Sequence, residues 1–368
     1  MSEVRGQGAP FAASVEVAVG PEPAGARASE PLFIPGTNLA LFLLTFLTTT
    51  IAGVGLAGSE ISLEGPGYGL GSLASGLFFS VPLMLILLSH ELGHFFAARR
   101  HGVRVSWPYF LPAPFPSLFF IGTFGAFIRL RSLPRSRREM FDIGAMGPWA
   151  GLALAVPAVI VGLKLSGVSP LSRAEGGLEL GQSLLFGWFT RLVLGVDPGK
   201  VNVDLHPIGV AGWVGLLVTA LNLLPVGQLD GGHVVYALFG RHHRLISRLA
   251  VVGCLLMVVV PRLVGSEFWP GWLLWAVLLV FLGLGHPAVL EPELTLTPRR
   301  RLAGWLTLGL LVVTFTPVPL SYSLGPAPKQ EERVYDVSYP HAGGPSRLPA
   351  YQGFRVRLPA HQGFRVRL

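Results

Sequence analysis

The sequence predicts an all-α polytopic membrane protein of about six to seven transmembrane helices, with a re-entrant loop or short β-hairpin beside one of them. Three observations carry that prediction. Hydrophobic residues make up 51% and charged residues 13% of the chain, and the mean hydropathy is +0.57, a composition foreign to soluble domains. The apolar residues fall in runs of roughly 20, the length a bilayer-spanning helix needs. The formal charge of +8 is carried mostly by arginines in a few short clusters. That distribution belongs to loops flanking membrane spans and not to a nucleic-acid-binding face, so no nucleic-acid partner is expected.

Residues 1–35 are rich in Gly, Ala, Pro and Glu without apolar periodicity and read as a flexible tail. They lack a basic start followed by an apolar core, so no cleavable signal peptide is expected. The membrane domain occupies 36–320. Its first span is expected at 38–57, followed by a glycine-rich connection at 58–76 and a second helix at 77–98. Between Arg99 and Arg138 lie eight arginines and no acidic residue. The middle of that segment, 108–128, is apolar but rich in Pro, Phe and Gly, which favours irregular or extended backbone. Such backbone is tolerated at membrane depth only when covered by protein or lining a wet cavity, so the segment reads either as a re-entrant loop or hairpin or as an interfacial aromatic loop.

A third span is expected at 143–163, where Gly147 and Gly151 give a small-xxx-small face for close helix packing. The connection 166–206 contains a short amphipathic piece at 183–194, interrupted by Arg191, that suits a surface better than a crossing. A further run, 207–229, is uncharged, carries Asn222 and Pro225, and ends at Asp230. Runs at 249–264, 269–289 and 302–320 follow. The first of these contains Pro261 and Arg262, which leaves its crossing open between six spans and seven. The lone cysteine, Cys254, lies in an apolar run and reads as a small buried hydrophobe. Residues 321–368 form a polar tail ending in a ten-residue tandem repeat at 348–357 and 358–367, too short to build a solenoid.

The chemistry gathers in the second helix. His90 and His94 stand at i and i+4, on one helical face, where two imidazoles can hold one Zn²⁺ with Glu91 beside them as a base. Ionisable groups inside a membrane cost at least a few kcal/mol each unless paired or liganded, which makes them functional candidates. Asp230 is the candidate third ligand, against its alternative as a turn residue before two glycines. His233 competes with it for that role. Two histidines and one carboxylate leave a tetrahedral zinc one open position, where bound water falls in pKa to about 7. Glu91 could then take the water proton during attack on a peptide carbonyl and return it to the leaving amine. Asn222 could donate a hydrogen bond to the carbonyl or oxyanion. The positive-inside rule places the basic segments 99–138, 241–248 and 299–301 on the cytoplasmic side, and in a seven-span topology His90, His94 and Asp230 meet near that face.

With the HELGH at 90–94, the GTFGAFI at 122–128, the FDIGAMGPWAG at 141–151 and the Asn222, Pro225, Leu229, Asp230, Gly231 pattern, the chain resembles the site-2 protease family of intramembrane zinc metalloproteases. The matching stretch covers roughly 75–240. The resemblance implies one Zn²⁺ per chain held by His90, His94 and Asp230, with Glu91 as catalytic base. It implies a single-span membrane protein as substrate, cut in or near its transmembrane segment. It also implies that the region of Gly122, Thr123 and Gly125 serves as an edge strand for unwound substrate. A multi-pass protein of a bacterial inner or plasma membrane, releasing membrane-tethered factors, is the corresponding expectation. The 99–142 and 166–206 connections are too short for the PDZ domain many relatives insert there, so this resembles a compact member. Two rival readings use the same residues: a catalytically silent zinc-binding membrane protein or chaperone, and a metal transporter.

Overall fold

The computed structural model describes residues 34–57, 68–114, 121–170, 177–197 and 201–323. Nearly all of the N-terminal tail and of the C-terminal tail with its tandem repeat lie outside the described residues, as do 58–67 and 115–120. What is described is mostly helical.

The first apolar run forms α1 (Gly36–Leu56). The hydroxyls of Thr48, Thr49 and Thr50 donate back to the carbonyls of Thr45 and Phe46, so these polar side chains are satisfied within the helix. Thr50 Oγ1 also lies 2.8 Å from Ser80 Oγ on α2 (Tyr68–Arg100). At the same crossing a Cβ on Gly53 would stand 2.5 Å from the Gly76 carbonyl oxygen, so the two backbones touch. This explains why α2 begins well before residue 77. The glycine-rich stretch expected to be a connection is in part a helix face whose missing side chains admit α1.

After α2 the chain returns as an antiparallel hairpin of β1 (Tyr109–Pro112) and β2 (Thr123–Phe127), with Tyr109 opposite Phe127 and Phe110 opposite Ala126. Of the two readings of this segment, the hairpin is the one the fold adopts. It is clamped to α1: Asn38 Nδ2 donates to the carbonyls of Trp107 and Pro108 at 3.0 and 2.9 Å, and buried Phe110 packs edge-on against Phe42.

The third span, α3 (Arg137–Lys164), starts six residues earlier than its apolar run because Ser136 caps it, its Oγ accepting from the Glu139 N–H while Glu139 reaches back to the Arg135 N–H. Next come β3 (Gly167–Pro170), β4 (Gly177–Leu180), the amphipathic α4 (Leu184–Leu194) and β5 (Val201–Asp204). Strand β3 pairs with β5 and so closes the connection onto itself. His206 then caps α5 (Pro207–Asn222), its Nδ1 accepting from the Ile208 N–H. Burial lowers the His206 pKa, which favours the neutral ring that can accept.

One expectation is corrected here. The run 207–229 is not one helix. Helix α5 stops at Asn222, because Pro225 lacks the N–H a helix needs and Gly227 takes a φ of 55°. A tight turn leads into α6 (Asp230–Phe239), so Asp230 opens a helix instead of closing one. A 3-10 turn, Gly240–His242, joins α6 to α7 (His243–Val264). The run 269–289 is helical only over α8 (Gly271–Leu282), where Gly283 at φ 94° ends it, and the last run becomes α9 (Pro298–Thr314) and then β6 (Leu320–Ser323), paired with β4. Among the described residues, four helical stretches are long and apolar enough to cross a membrane: Gly36–Leu56, Ser72–Arg100, Arg137–Lys164 and Asp230–Val264. Helices α5 and α8 are apolar but shorter.

The core lies between α2, α3 and α5, where Phe79, Leu83, Ile86, Val159, Leu163 and Trp213 are buried. Helices α3 and α5 cross at Gly162 and Gly209, where a Cβ on Gly162 would overlap the Gly209 backbone. Replacing Gly162 by Ala should therefore cost about 1–3 kcal/mol through overpacking and lower the unfolding temperature in detergent. Gly55→Ala, at a position whose Cβ would meet nothing within 4 Å, should leave it level or slightly raised.

Candidate metal centre

Helix α2 carries His90, Glu91 and His94 on a turn sealed by α3, leaving them 3%, 6% and 5% exposed. The seal depends on three glycines. A Cβ on Gly93 would stand 2.6 Å from the Met146 carbonyl oxygen, one on Gly147 would overlap the His94 ring, and one on Gly151 would press on His90 Nδ1 at 3.1 Å. The close packing read from Gly147 and Gly151 is present, and what these glycines make room for is the histidine pair.

From the other side, the turn after α5 delivers Asp230. Its carboxylate stands 3.1 Å from His90 Nε2 through Oδ2 and 3.2 Å from His94 Nε2 through Oδ1, and the two Nε2 atoms are 3.2 Å apart. Asn222, the last residue of α5, brings its Nδ2 to 3.2 Å from His90 Nε2. The structure brings His90, His94, Asp230 and Asn222 together, with Asp230 arriving at the N-terminus of a helix, where the dipole favours its negative charge. The expected competitor His233 is not part of the metal-spaced group and pairs instead with His286, its Nδ1 2.7 Å from His286 Nε2.

The donor set fits a cation. His94 Nδ1 lies 2.7 Å from the Ile143 carbonyl and donates to it, so in the neutral ring Nε2 presents a lone pair. That lone pair faces a second imidazole nitrogen and a carboxylate, an assembly of acceptors that a positive ion satisfies. The edges of 3.1 to 3.2 Å are close to the roughly 3.3 Å separating ligands about 2.0–2.1 Å from a tetrahedral zinc. Among the described residues, His90, His94 and Asp230 are the one group with metal-binding spacing.

Two supports were not read from the sequence. Asp142, immediately before Ile143, accepts a bidentate pair of hydrogen bonds from Arg300 Nε and Nη2, both 2.8 Å, and lies 2.9 Å from His101 Nε2. This clamp ties α9 and the end of α2 to the residue whose neighbour orients His94. Its sequence signal was the acid of the FDIGAMGPWAG run, just before the apolar span. The second support is the backbone of Ile128, which follows β2 directly and lies within electrostatic reach of the Glu91 carboxylate.

The region of Gly122, Thr123 and Gly125 divides by role. Gly122, at φ 74°, packs against the backbone of Thr48 and Thr49; Thr123 is buried and donates to the Leu111 carbonyl at 2.8 Å; Gly125, at φ 96°, borders open space. Among the described residues β2 has β1 as its strand partner on one side.

The sequence model of Peptidase family M50 matches residues 78–261, half of the chain and all of the convergent residues. The chain belongs to peptidase family M50. It is also similar to curated proteins of plants. The probable zinc metalloprotease EGY1, chloroplastic, of Arabidopsis thaliana is 43% identical over 162 residues, covering 43% of this chain and 28% of that protein. EGY1 of Oryza sativa subsp. japonica is 41% identical over 172 residues, 45% of this chain and 29% of that protein. The probable zinc metalloprotease EGY2, chloroplastic, of Oryza sativa subsp. indica is 30% identical over 256 residues, 68% of this chain and 45% of that protein. The chain thus spans less than half the length of these relatives. Family and apolar helices together make this a membrane protein, but the chloroplastic names lend the bacterial-membrane expectation no support.

Because a Cβ at 147 and the His94 ring claim the same space, Gly147→Ala should weaken zinc binding about 10- to 100-fold, the range seen when the groups that orient metal ligands are disturbed. Competition with a chelator of known affinity reads this directly.

Proposed function

We propose that this M50 chain is an intramembrane zinc metalloprotease that hydrolyses a peptide bond in or near the transmembrane segment of a single-span membrane protein. The observation that carries the proposal is the meeting of His90, His94 and Asp230 from two separate helices with Glu91 buried next to them. His90, His94 and Asp230 would hold one Zn²⁺, which when bound supplies a Lewis acid that polarises the carbonyl and acidifies water. Glu91 takes the proton of the attacking water on its carboxylate and delivers it to the departing amine nitrogen. A ligand set alone has no use for that carboxylate, which weighs against a silent zinc-binding protein. Asn222 Nδ2 is a fixed donor within the site and suits the developing oxyanion. A substrate strand laid along β2 would run past Ile128 towards Glu91, which would give the 122–127 region a recognition role.

The same reading places the site near the cytoplasmic face, with six to seven crossings in all. Supporting it, contacts bring two of the basic segments, 99–138 and 299–301, to one end of the bundle. Arg300 pairs with Asp142, Arg138 Nε donates to the Thr295 carbonyl, and the Glu291 N–H donates to the Arg135 carbonyl. Helix α2 ends in Arg99 and Arg100 at the end that carries His94. A positive-inside orientation puts this end in the cytoplasm.

Glu91→Gln should keep its zinc and lose about 10²- to 10⁴-fold in cleavage rate, the share general acid–base catalysis supplies. The assay is co-expression or co-reconstitution with tagged single-span proteins, scored for a shortened product. Undiminished cleavage by Glu91→Gln would refute the protease reading, whereas a transporter would move metal equally well with either residue. Independently, His94→Ala and Asp230→Ala should each fail to retain zinc through purification, measured by metal analysis.

A further inference from the structure

Asp230 is the one member of the metal-spaced triad that does not come from α2, and its position is set by how α6 is seated. Two contacts seat the start of α6 on its own turn: a Cβ on Gly231 would overlap the Leu223 carbonyl, and one on Gly232 would stand 2.7 Å from the Val226 carbonyl oxygen. These fix the depth of the helix start. A pair of glycines has no side chain to resist rotation about the helix axis.

Rotation is opposed by a contact from beyond the residues that the family model matches. His233, one turn after Asp230, closes that turn through its N–H to the Leu229 carbonyl at 2.9 Å. Its Cβ is wedged against α3, where a Cβ on Gly144 would lie 2.6 Å away. Its ring Nδ1 is 2.7 Å from His286 Nε2, and His286 Nδ1 is 2.6 Å from the Pro287 carbonyl. A carbonyl only accepts, so His286 Nδ1 carries the proton, His286 Nε2 is the acceptor, and His233 Nδ1 donates to it. The His286 ring also stacks on Tyr236 of α6, with centroids 4.1 Å apart and planes 6° apart. The Val289 N–H reaches the Tyr236 hydroxyl at 3.4 Å. One short segment after α8 therefore grips the same face of α6 at two successive turns.

We propose that His286 is a positioning residue for the metal, holding α6 through His233 at the rotation that brings the Asp230 carboxylate to His90 and His94. The inference rests on the reading of His90, His94 and Asp230 as ligands. It assigns His286 no contact with substrate or metal, and it separates two contributions: a hydrogen bond that the acceptor at position 286 supplies, and a stack that any flat side chain supplies.

The test uses the full chain in detergent, with zinc affinity from chelator competition and the visible d–d absorption of the Co²⁺-loaded protein as a signature of ligand geometry. His286→Ala should weaken zinc binding about 10- to 100-fold and alter the Co²⁺ bands. His286→Phe, which keeps a ring on Tyr236 but accepts no hydrogen bond, should behave like His286→Ala. His286→Gln, whose amide oxygen can accept from His233, should restore most of the affinity and the wild-type bands. Asp230→Ala is the control for the ligand reading. If it keeps wild-type zinc affinity, that reading fails and the inference with it. If Asp230→Ala loses zinc while His286→Ala and His286→Phe match the wild type, the positioning role alone is overturned. Should His286→Ala fail to fold, the comparison of Gln with Phe decides, and equal affinity of those two overturns the role.

Discussion

Three side chains whose electron pairs face one another inside an apolar bundle are the constraint on which the rest of this structure depends. Without a positive charge among them, whether metal ion or proton, two imidazoles and a carboxylate at separations of 3.1 to 3.2 Å would set like partial charges together where water cannot relieve them. The fold accepts this cost and surrounds it with close helix contacts. Gly93, Gly147 and Gly151 bring α2 and α3 close enough to shut out solvent, and Gly231 and Gly232 press α6 onto the turn that precedes it. Small residues serve here as they do throughout membrane interiors, where packing must supply what the hydrophobic effect supplies in water.

The ends of the elements hold the site as firmly as their middles. Ser136 starts α3 early, which places Asp142 and Ile143 inside the helix, and Asp142 is then tied by Arg300 while the Ile143 carbonyl fixes the His94 tautomer. The break between α5 and α6 does similar service. A continuous helix from 207 to 230 would carry Asn222 and Asp230 about 12 Å apart along one axis. The turn through Pro225 and Gly227 instead folds both residues back to His90.

How much of this could be read from the residues alone follows from whether each signal is local. The helical spacing of His90 and His94 is a local rule, and both the shared face and the metal chemistry followed from it. Asp230 was legible as a candidate ligand because the chemistry demanded a third donor, but its place at the head of α6 was obscured by an apolar run that hid the break; Pro225 and Gly227 were the signals to weigh. The capping pair Ser136 and Glu139 was equally local and marks a helix start that hydropathy put too late. The pairings of β3 with β5 and β4 with β6, the clasp of Asn38 on the hairpin and the reach of His286 to His233 join residues far apart in the chain, and nothing near any of them announces its partner. Nearly all of both tails, with the tandem repeat, lies outside the described residues.

Anomalous scattering at the zinc absorption edge tests the central claim most directly. From crystals of the zinc-loaded protein, the account predicts one strong peak per chain bounded by His90 Nε2, His94 Nε2 and the Asp230 carboxylate, with Glu91 beside it and not bound to it. A peak ligated by the histidines while Asp230 points elsewhere, or zinc held at some other cluster with this triad empty, would contradict it.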